Sequence, residues 1–195
     1  MIIDTLIKAI IKNGYQLFEN DSKPFNLNIV GVRDSNPKIN YFNDSIYTFW
    51  KYQGSWNYLE FDATTLSGMK YLNSPLNPKG CAILVPNQYR GVWELGLHNG
   101  KYEALVQRKG EVVVYRDADK DNEYDMIDST TETGYFGINI HKASEGERET
   151  VDGYSAGCQV FQNSDEYDIF IQICKKSEKY WGNSFTYTLL NESQL

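Results

Sequence analysis

A cysteine and a histidine stand seventeen positions apart in this chain, each at the edge of an apolar run. The cysteine, Cys158, follows Ser155 and Gly157 closely, and the histidine is His141. A thiol attacks an acyl group as its thiolate, and a neighbouring imidazole can take the thiol proton. The glycine before the cysteine suits a tight turn into a strand, and the N–H groups of such a turn can bind an oxyanion. We therefore interpret Cys158 as a candidate nucleophile and His141 as its base.

The same residues also allow a structural interpretation, in which Cys158 is a small buried residue and His141 a hydrogen-bonded residue at a strand end. The chain has only two histidines, which makes a chance pairing less expected than in a histidine-rich chain. His98 lies in a segment typical of a hairpin turn and is interpreted as a surface residue rather than a second base. Cys81 opens an apolar strand and Cys174 lies on the apolar face of a helix, so both are expected in the core.

Residues 134 to 162 resemble the catalytic signature of the L,D-transpeptidase (YkuD-like) family, in which a histidine precedes a Ser/Thr-His-Gly-Cys element at a similar spacing. The resemblance implies a β-rich catalytic domain that forms a thioacyl-enzyme with a peptidoglycan stem peptide. By resemblance, Cys158 is the nucleophile and His141 the base, and Ser155 and Gly157 shape the turn and the oxyanion site. The side chains expected to contact the substrate are Gln159, Arg90 and Asn139.

Three positions depart from the family pattern. Ala156 replaces the second histidine of the motif, Lys142 stands where some members have Ser or Thr, and Val160 stands where Arg or Asn is usual. These changes leave the acyl acceptor open: water would give carboxypeptidase or endopeptidase cleavage, and a second stem peptide would give a crosslink. The alternative is a non-catalytic phage structural or cell-wall-binding protein that retains the fold. An active Cys158 is expected to have a depressed pKa, whereas a binding protein would have three ordinary or buried thiols.

The segments 28–33 and 88–91, together with the Ser-x-Gly-Cys-Gln ending, resemble proteins of phages and prophages. This resemblance slightly favours cleavage over crosslinking. The N-terminus lacks the features of a secretory signal, and no segment reaches the roughly 18 to 20 apolar residues that span a bilayer. We expect synthesis in the cytoplasm without a signal peptide, and action at the cell wall or periplasm after delivery by phage lysis or by the particle.

The segment 117–128 is acidic at regular intervals. Counted from its first residue, carboxylates occupy positions 1, 3, 5, 7, 9 and 12, close to the donor spacing of a calcium loop of EF-hand or dockerin type. Asn122 replaces the usual glycine at position 6 and also tolerates left-handed backbone geometry. A solvated acidic turn is the alternative. Bound Ca²⁺ would be structural, and its predicted ligands are Asp117, Asp119, Asp121, Glu123, Asp125 and Asp128.

Length and composition predict one β-rich α+β domain over residues 1–195, with a sandwich or a barrel-like meander. The chain has 15 Tyr, 9 Phe and 4 Trp but only 5 Pro, and short β-branched and aromatic runs recur between turns. Helical spacing predicts an N-terminal docking helix over 1–14, ended by Gly14, and a helix over 165–179 with Ser164 as its N-cap. The predicted strands are 26–33, 46–52, 58–61, 82–85, 93–97, 102–107, 111–116 and 185–190.

Charge and cysteine usage exclude several classes of function. The net charge is −7 and no basic cluster is present, so nucleic acid is not an expected partner. Three cysteines without CxxC spacing indicate free thiols rather than a disulfide framework or a zinc site. The expected partner is the peptidoglycan stem peptide, and the oligomeric state is left open.

Overall fold

The computed structural model describes residues 2–195, which form three α-helices and eleven β-strands in two sheets. Met1, part of the predicted N-terminal helix, lies outside the described residues. The helices are α1 (Ile2–Lys12), α2 (Met69–Asn73) and α3 (Ser164–Trp181). The strands are β1 (Asn28–Arg33), β2 (Asp44–Tyr52), β3 (Ser55–Thr64), β4 (Cys81–Leu84), β5 (Gln88–His98), β6 (Tyr102–Gln107), β7 (Val112–Asp117), β8 (Glu132–Gly134), β9 (Ile140–Lys142), β10 (Gln159–Phe161) and β11 (Phe185–Asn191).

Eight strands close into a barrel in the order β1-β11-β5-β6-β9-β10-β3-β2, and the remaining three form a second sheet in the order β4-β7-β8. The predicted β-rich α+β class is confirmed, and the strands form a closed barrel instead of a sandwich. Two predicted turns close antiparallel hairpins, between β2 and β3 and between β5 and β6. Each turn has two residues with positive φ, as twisted hairpins require: Gln53, Gly54, Asn99 and Gly100.

The barrel contains one short parallel pair. Strands β9 and β10 have only three residues each, and their register places Gln159 beside Ile140 and Val160 beside His141. Strand β10 also pairs antiparallel with β3, and β9 is bridged to β6 at Leu105. A parallel pair needs a crossover connection, which here is the loop from Ala143 to Cys158. The pairing places Cys158, just before β10, near the start of β9 and within two residues of the level of His141.

Helix α3 packs its apolar stripe into the main core. The predicted positions at helical spacing are all buried: Tyr167, Phe170, Ile171 and Cys174. The helix begins one residue earlier than expected, because Asn163 and not Ser164 is its N-cap. The Asn163 side chain accepts hydrogen bonds from the backbone N–H groups of the first turn. Gly182 ends the helix with a φ of 87°. The same core cluster includes residues of β4 and β7, so both sheets share it.

Helix α1 docks on the outside of the barrel. Its buried side chains are Ile3, Leu6, Ala9 and Ile10, and they pack against residues of β1, β2 and β11. Gly14 has a φ of 71° beyond the helix end, as predicted. The helix therefore covers the chain's own core rather than an external partner. No helix within residues 2–195 is both long and apolar enough to cross a bilayer.

We predict that Leu6→Ala lowers the free energy of unfolding by about 2 to 5 kcal/mol. Leu6 lies on the buried face of α1 and is fully buried, so its truncation leaves a cavity. Urea unfolding followed by circular dichroism measures this change. Ile11→Ala is the control in the same helix: Ile11 is 60% exposed, and its truncation should cost no more than about 0.5 kcal/mol. Equal effects of the two substitutions would show that the helix is not docked as described.

Candidate functional site

A cleft of about 600 Å³ opens where β9 and β10 begin. Cys158, His141 and Asn139 all line it, so the structure brings the predicted nucleophile and base into one site. The wall opposite comes from the β4–β7 sheet and its loops, including Cys81 and Arg116. The lining also includes four aromatic side chains: Tyr71, Tyr135, Phe136 and Tyr154. The cleft is large enough for a peptide segment and presents both apolar and hydrogen-bonding surface.

The turn that presents Cys158 is fixed by its own residues. The Ser155 hydroxyl donates a hydrogen bond to the Cys158 carbonyl at 2.9 Å and accepts one from the Gly157 N–H at 3.2 Å. Gly157 has a φ of 119°, and a Cβ there would lie 2.5 Å from the carbonyl oxygen of Ala82 in β4. Only glycine meets both conditions. Ser155 and Gly157 therefore shape the turn as expected, and their part in an oxyanion site stays a prediction.

Gln159 supports this turn from inside the barrel. Its side chain is fully buried, its amide nitrogen donates to the Gly157 carbonyl at 3.3 Å, and its oxygen accepts from the Tyr187 hydroxyl at 2.9 Å. Arg90 is exposed and is not among the residues lining the cleft. The burial of Gln159 and the location of Arg90 outside the cleft do not favour their predicted contacts with substrate. Of the three predicted substrate contacts, only Asn139 lines the cleft.

The Cys158 thiol rests in its neutral form. Burial raises the pKa of this thiol to about 11, against a smaller lowering from the Asn139 N–H that donates to the sulfur at 3.4 Å. The thiol itself donates toward the Gly137 carbonyl at 3.4 Å. A raised pKa does not match the depressed pKa expected of an active Cys158; it matches the ordinary or buried thiol expected of a binding protein. Burial, which the sequence does not show, outweighs the hydrogen bond that stabilises the thiolate.

The His141 imidazole is held in the tautomer that a base requires. Its Nδ1 lies 2.8 Å from the Lys142 carbonyl oxygen, which can only accept, so Nδ1 carries the proton and Nε2 has a free lone pair. The Tyr102 hydroxyl donates to the same carbonyl at 3.1 Å and lies 3.1 Å from Nδ1. Burial, and then the charge of His98, lower the pKa of His141 to about 3. Within residues 2–195 no hydrogen bond joins His141 to Cys158, so the free protein holds a neutral thiol and a neutral imidazole in one cleft.

His98 lies in the site, contrary to its interpretation as a surface turn residue. It is half-buried at the end of β5, and its ring stacks on that of His141 with centroids 4.0 Å apart and planes 23° apart. The Gln107 N–H donates to the Asn139 side-chain oxygen, so the Asn139 amide nitrogen faces His98 Nδ1 at 3.1 Å. His98 Nε2 lies 3.0 Å from the Asn99 amide nitrogen, so both ring nitrogens face an amide nitrogen and these contacts do not define the His98 tautomer. The prediction failed because β5 continues to residue 98, whereas the predicted strand stops at Leu97.

Gln107 is a further residue that the sequence did not indicate as part of the site. It is buried at the end of β6, and its side-chain oxygen accepts from the N–H groups of Phe136 and Ile138. Its amide nitrogen donates to the carbonyls of Gly110 and Gly134. The side chain thus fixes the segment that carries the Gly137 carbonyl toward Cys158. A polar residue at the end of an apolar strand was the only sequence signal for this role.

The acidic loop gathers three of its six predicted ligands. Carboxylate oxygens of Asp117, Asp119 and Asp125 lie within 4.8 Å of one another, whereas Asp121, Glu123 and Asp128 are outside this group. Burial, and then the neighbouring carboxylates, raise the pKa of Asp117 to about 6, partly opposed by the Asp125 N–H. Asn122 has a φ of 69°, so the left-handed geometry expected at position 6 is confirmed.

No protein-family model, curated protein sequence or solved structure matches the chain. The likeness to the L,D-transpeptidase signature therefore rests on residues 134–162.

We predict that Gly157→Ala costs several kcal/mol of folding stability, because its new Cβ meets the backbone of β4 at 2.5 Å. Gly146→Ala is the matched control. Gly146 also has a positive φ, 78°, but a methyl group added there would have no atom within 4 Å, so its cost should be about 1 to 2 kcal/mol. Thermal unfolding of both variants measures the difference, and equal costs would show that the contact with Ala82 is relaxed in solution.

We predict that stability falls as the pH is lowered from about 6.5 toward 3, because the unfolded chain protonates His141 and the folded chain does not. His141 contributes a slope of at most about 1.4 kcal/mol per pH unit in this window. Urea unfolding of wild type and His141→Gln across the window measures it, and the variant should have the flatter profile. Parallel profiles for wild type and His141→Gln would mean that the folded protein charges His141 freely.

Proposed function

We propose that this protein transfers acyl groups of peptidoglycan stem peptides through Cys158, with His141 as the base. The observation that carries the proposal is the joint position of thiol and imidazole. The parallel pairing of β9 and β10 places Cys158 just before β10 and His141 within β9. Both line one cleft of about 600 Å³, and the Lys142 carbonyl holds the imidazole with its Nε2 lone pair free. A thiol beside an imidazole of this tautomer is the arrangement that acyl transfer needs.

The neutral resting pair determines how the first step proceeds. With pKa values of about 11 and about 3, proton transfer from Cys158 to His141 is uphill in the free protein. Transfer therefore accompanies attack on the acyl carbon instead of preceding it. Substrate seated in the cleft changes the surroundings of both groups, so the free protein's values describe the start of the reaction alone.

The bonds in the proposed cycle balance without an additional reagent. The Cys158 sulfur bonds to the amide carbon while its proton passes to His141 Nε2. The C–N bond then breaks, and the imidazolium returns that proton to the leaving amine, which leaves a thioester. Water or the amine of a second stem peptide loses a proton to His141 and attacks the thioester carbon. The thiol leaves as the thiolate and regains the proton. Hydrolysis gives cleavage, the outcome we favour, and aminolysis gives a crosslink.

His98 extends the proposed site as a positioning residue. Ala156 stands where the related motif has its second histidine, and both Ala156 and His98 line the cleft. A second imidazole is therefore present, supplied from β5 rather than from the turn. Its stacking on His141 at 4.0 Å fixes the ring plane of the base, and its charge, when protonated, disfavours a proton on His141.

The choice of peptidoglycan rests on the resemblance of residues 134–162 to the L,D-transpeptidase signature. The structure adds a cleft whose aromatic and polar lining suits an extended peptide. Delivery to the cell wall or periplasm by phage lysis, or by the particle, belongs to the same proposal and rests on the likeness to phage and prophage proteins.

The second candidate is a cell-wall-binding or phage structural protein that does not turn over substrate. The absence of a hydrogen bond between Cys158 and His141 within residues 2–195 favours it. The thiol pKa of the free protein does not separate the two candidates, because an enzyme that deprotonates its thiol during attack would show the same value. Product analysis does separate them.

We predict that wild type releases or joins stem peptides when it is incubated with purified Gram-negative sacculi, and that Cys158→Ala does not. The readout is mass spectrometry of muropeptides after digestion, which identifies the bond changed. Removal of the sulfur should abolish product, whereas His98→Gln should lower the rate and shift the pH profile because the base loses its stacking partner.

Cys174→Ala is the control for the cysteine substitution, because its thiol is buried in the core away from the cleft. It should retain the wild-type products. The same products from Cys158→Ala, or none from wild type while the protein still binds sacculi, would exclude the catalytic proposal for this substrate and favour the binding protein.

A further inference from the structure

We propose that Asp117, Asp119 and Asp125 bind one calcium ion, which ties the end of β7 to the part of the acidic loop around Asp125. This site is separate from the thiol chemistry and does not depend on it. Its three carboxylates are the members of the predicted set that the fold brings together. The ion would act as a structural brace, with the remaining coordination positions taken by backbone carbonyls and water.

The first observation is an orphaned carboxylate oxygen. Asp117 is only 1% exposed, and its Oδ1 has no hydrogen-bond partner within residues 2–195. Its other oxygen, Oδ2, accepts from the Asp125 N–H at 3.2 Å. A buried carboxylate oxygen without a donor is costly, and native structures keep few of them. Because this carboxylate belongs to the group of three, a cation at their centre would supply the missing partner.

The second observation is the spacing of the three carboxylates. Two oxygens that each lie about 2.4 Å from one Ca²⁺ can be no more than about 4.8 Å apart. Oxygens of Asp117, Asp119 and Asp125 meet this limit pairwise. The set consists of hard oxygen donors, which Ca²⁺ and Mg²⁺ prefer over the softer metals. Three carboxylates on one irregular loop suit the flexible coordination of Ca²⁺ better than the strict octahedron of Mg²⁺.

The third observation is that no basic side chain neutralises the group. Among the ion pairs of residues 2–195, none involves the three carboxylates. Arg116 precedes Asp117 on β7. It forms an ion pair with Glu132 and donates a hydrogen bond to the Gly80 carbonyl. Three carboxylates in this position repel one another, and a divalent cation would remove that repulsion.

The ion would stabilise a loop that is connected by hydrogen bonds, through Ser67 and Gly68, to the turn that carries Cys158. Beside Asp125, the Tyr124 hydroxyl donates to the Ser67 carbonyl at 2.7 Å. The next residue, Gly68, donates its N–H to the Ser155 carbonyl at 2.9 Å. A fixed acidic loop therefore holds Ser67 and Gly68 against the turn that ends at Cys158.

The test is the thermal stability of the full chain, freed of metal with a chelator and then titrated with CaCl₂ up to about 10 mM, above the dissociation constants of weak calcium modules. At calcium about 100 times the dissociation constant, the melting temperature of wild type should rise by roughly 5 to 10 °C. Asp119→Asn should lose most of this rise. Asp119 is exposed, so its substitution should not prevent folding.

Asp128→Asn is the matched control, because it makes the same chemical change in the same loop outside the group of three. It should keep the wild-type response. The proposal is overturned if wild type shows no shift with CaCl₂, if Asp119→Asn responds like wild type, or if Asp128→Asn loses the response as Asp119→Asn does. An equal shift with MgCl₂ at the same concentration would overturn the preference for calcium. None of these outcomes depends on acyl transfer.

Discussion

The site depends on the parallel pairing of two three-residue strands. His141 and Cys158 are seventeen positions apart in sequence. Without the β9–β10 register, their side chains would have no fixed position relative to each other. A neighbouring strand on each side secures the register, since β10 also pairs with β3 and β9 is bridged to β6. Short parallel pairs are weak by themselves, so closure of the barrel is what keeps these two strand ends together.

Closure alone does not set the position of the sulfur. The turn before β10 touches β4 so closely that residue 157 has no room for a side chain, and the second sheet therefore fixes how far the turn can move. On the barrel side, two buried glutamines satisfy backbone groups of the turn and of the segment before β9. They are Gln159 and Gln107. Buried amides held by such hydrogen bonds favour one arrangement of the backbone, which positions the thiol on its loop.

Local pattern predicted most of the framework and little of the site's electrostatics. Alternating apolar residues located eight strands, helical spacing located α1 and α3, and turn chemistry located both hairpins. The pairing of distant strands was out of reach because it depends on closure, so the sandwich remained open as an alternative. The partners of His141 were missed for the same reason: His98 and Tyr102 come from another hairpin, forty or so positions away. The direction of the Cys158 pKa shift depends on burial, which a single sequence does not display.

The neutral state of Cys158 also bears on the redox chemistry of the free protein. Oxidation to sulfenic acid begins from the thiolate. With a pKa of about 11, roughly one thiol in ten thousand is ionised at pH 7. Peroxide and disulfide reagents therefore find little to react with. The Cys158 sulfur of the free protein is therefore expected to stay reduced in the presence of such reagents without the protection of a disulfide.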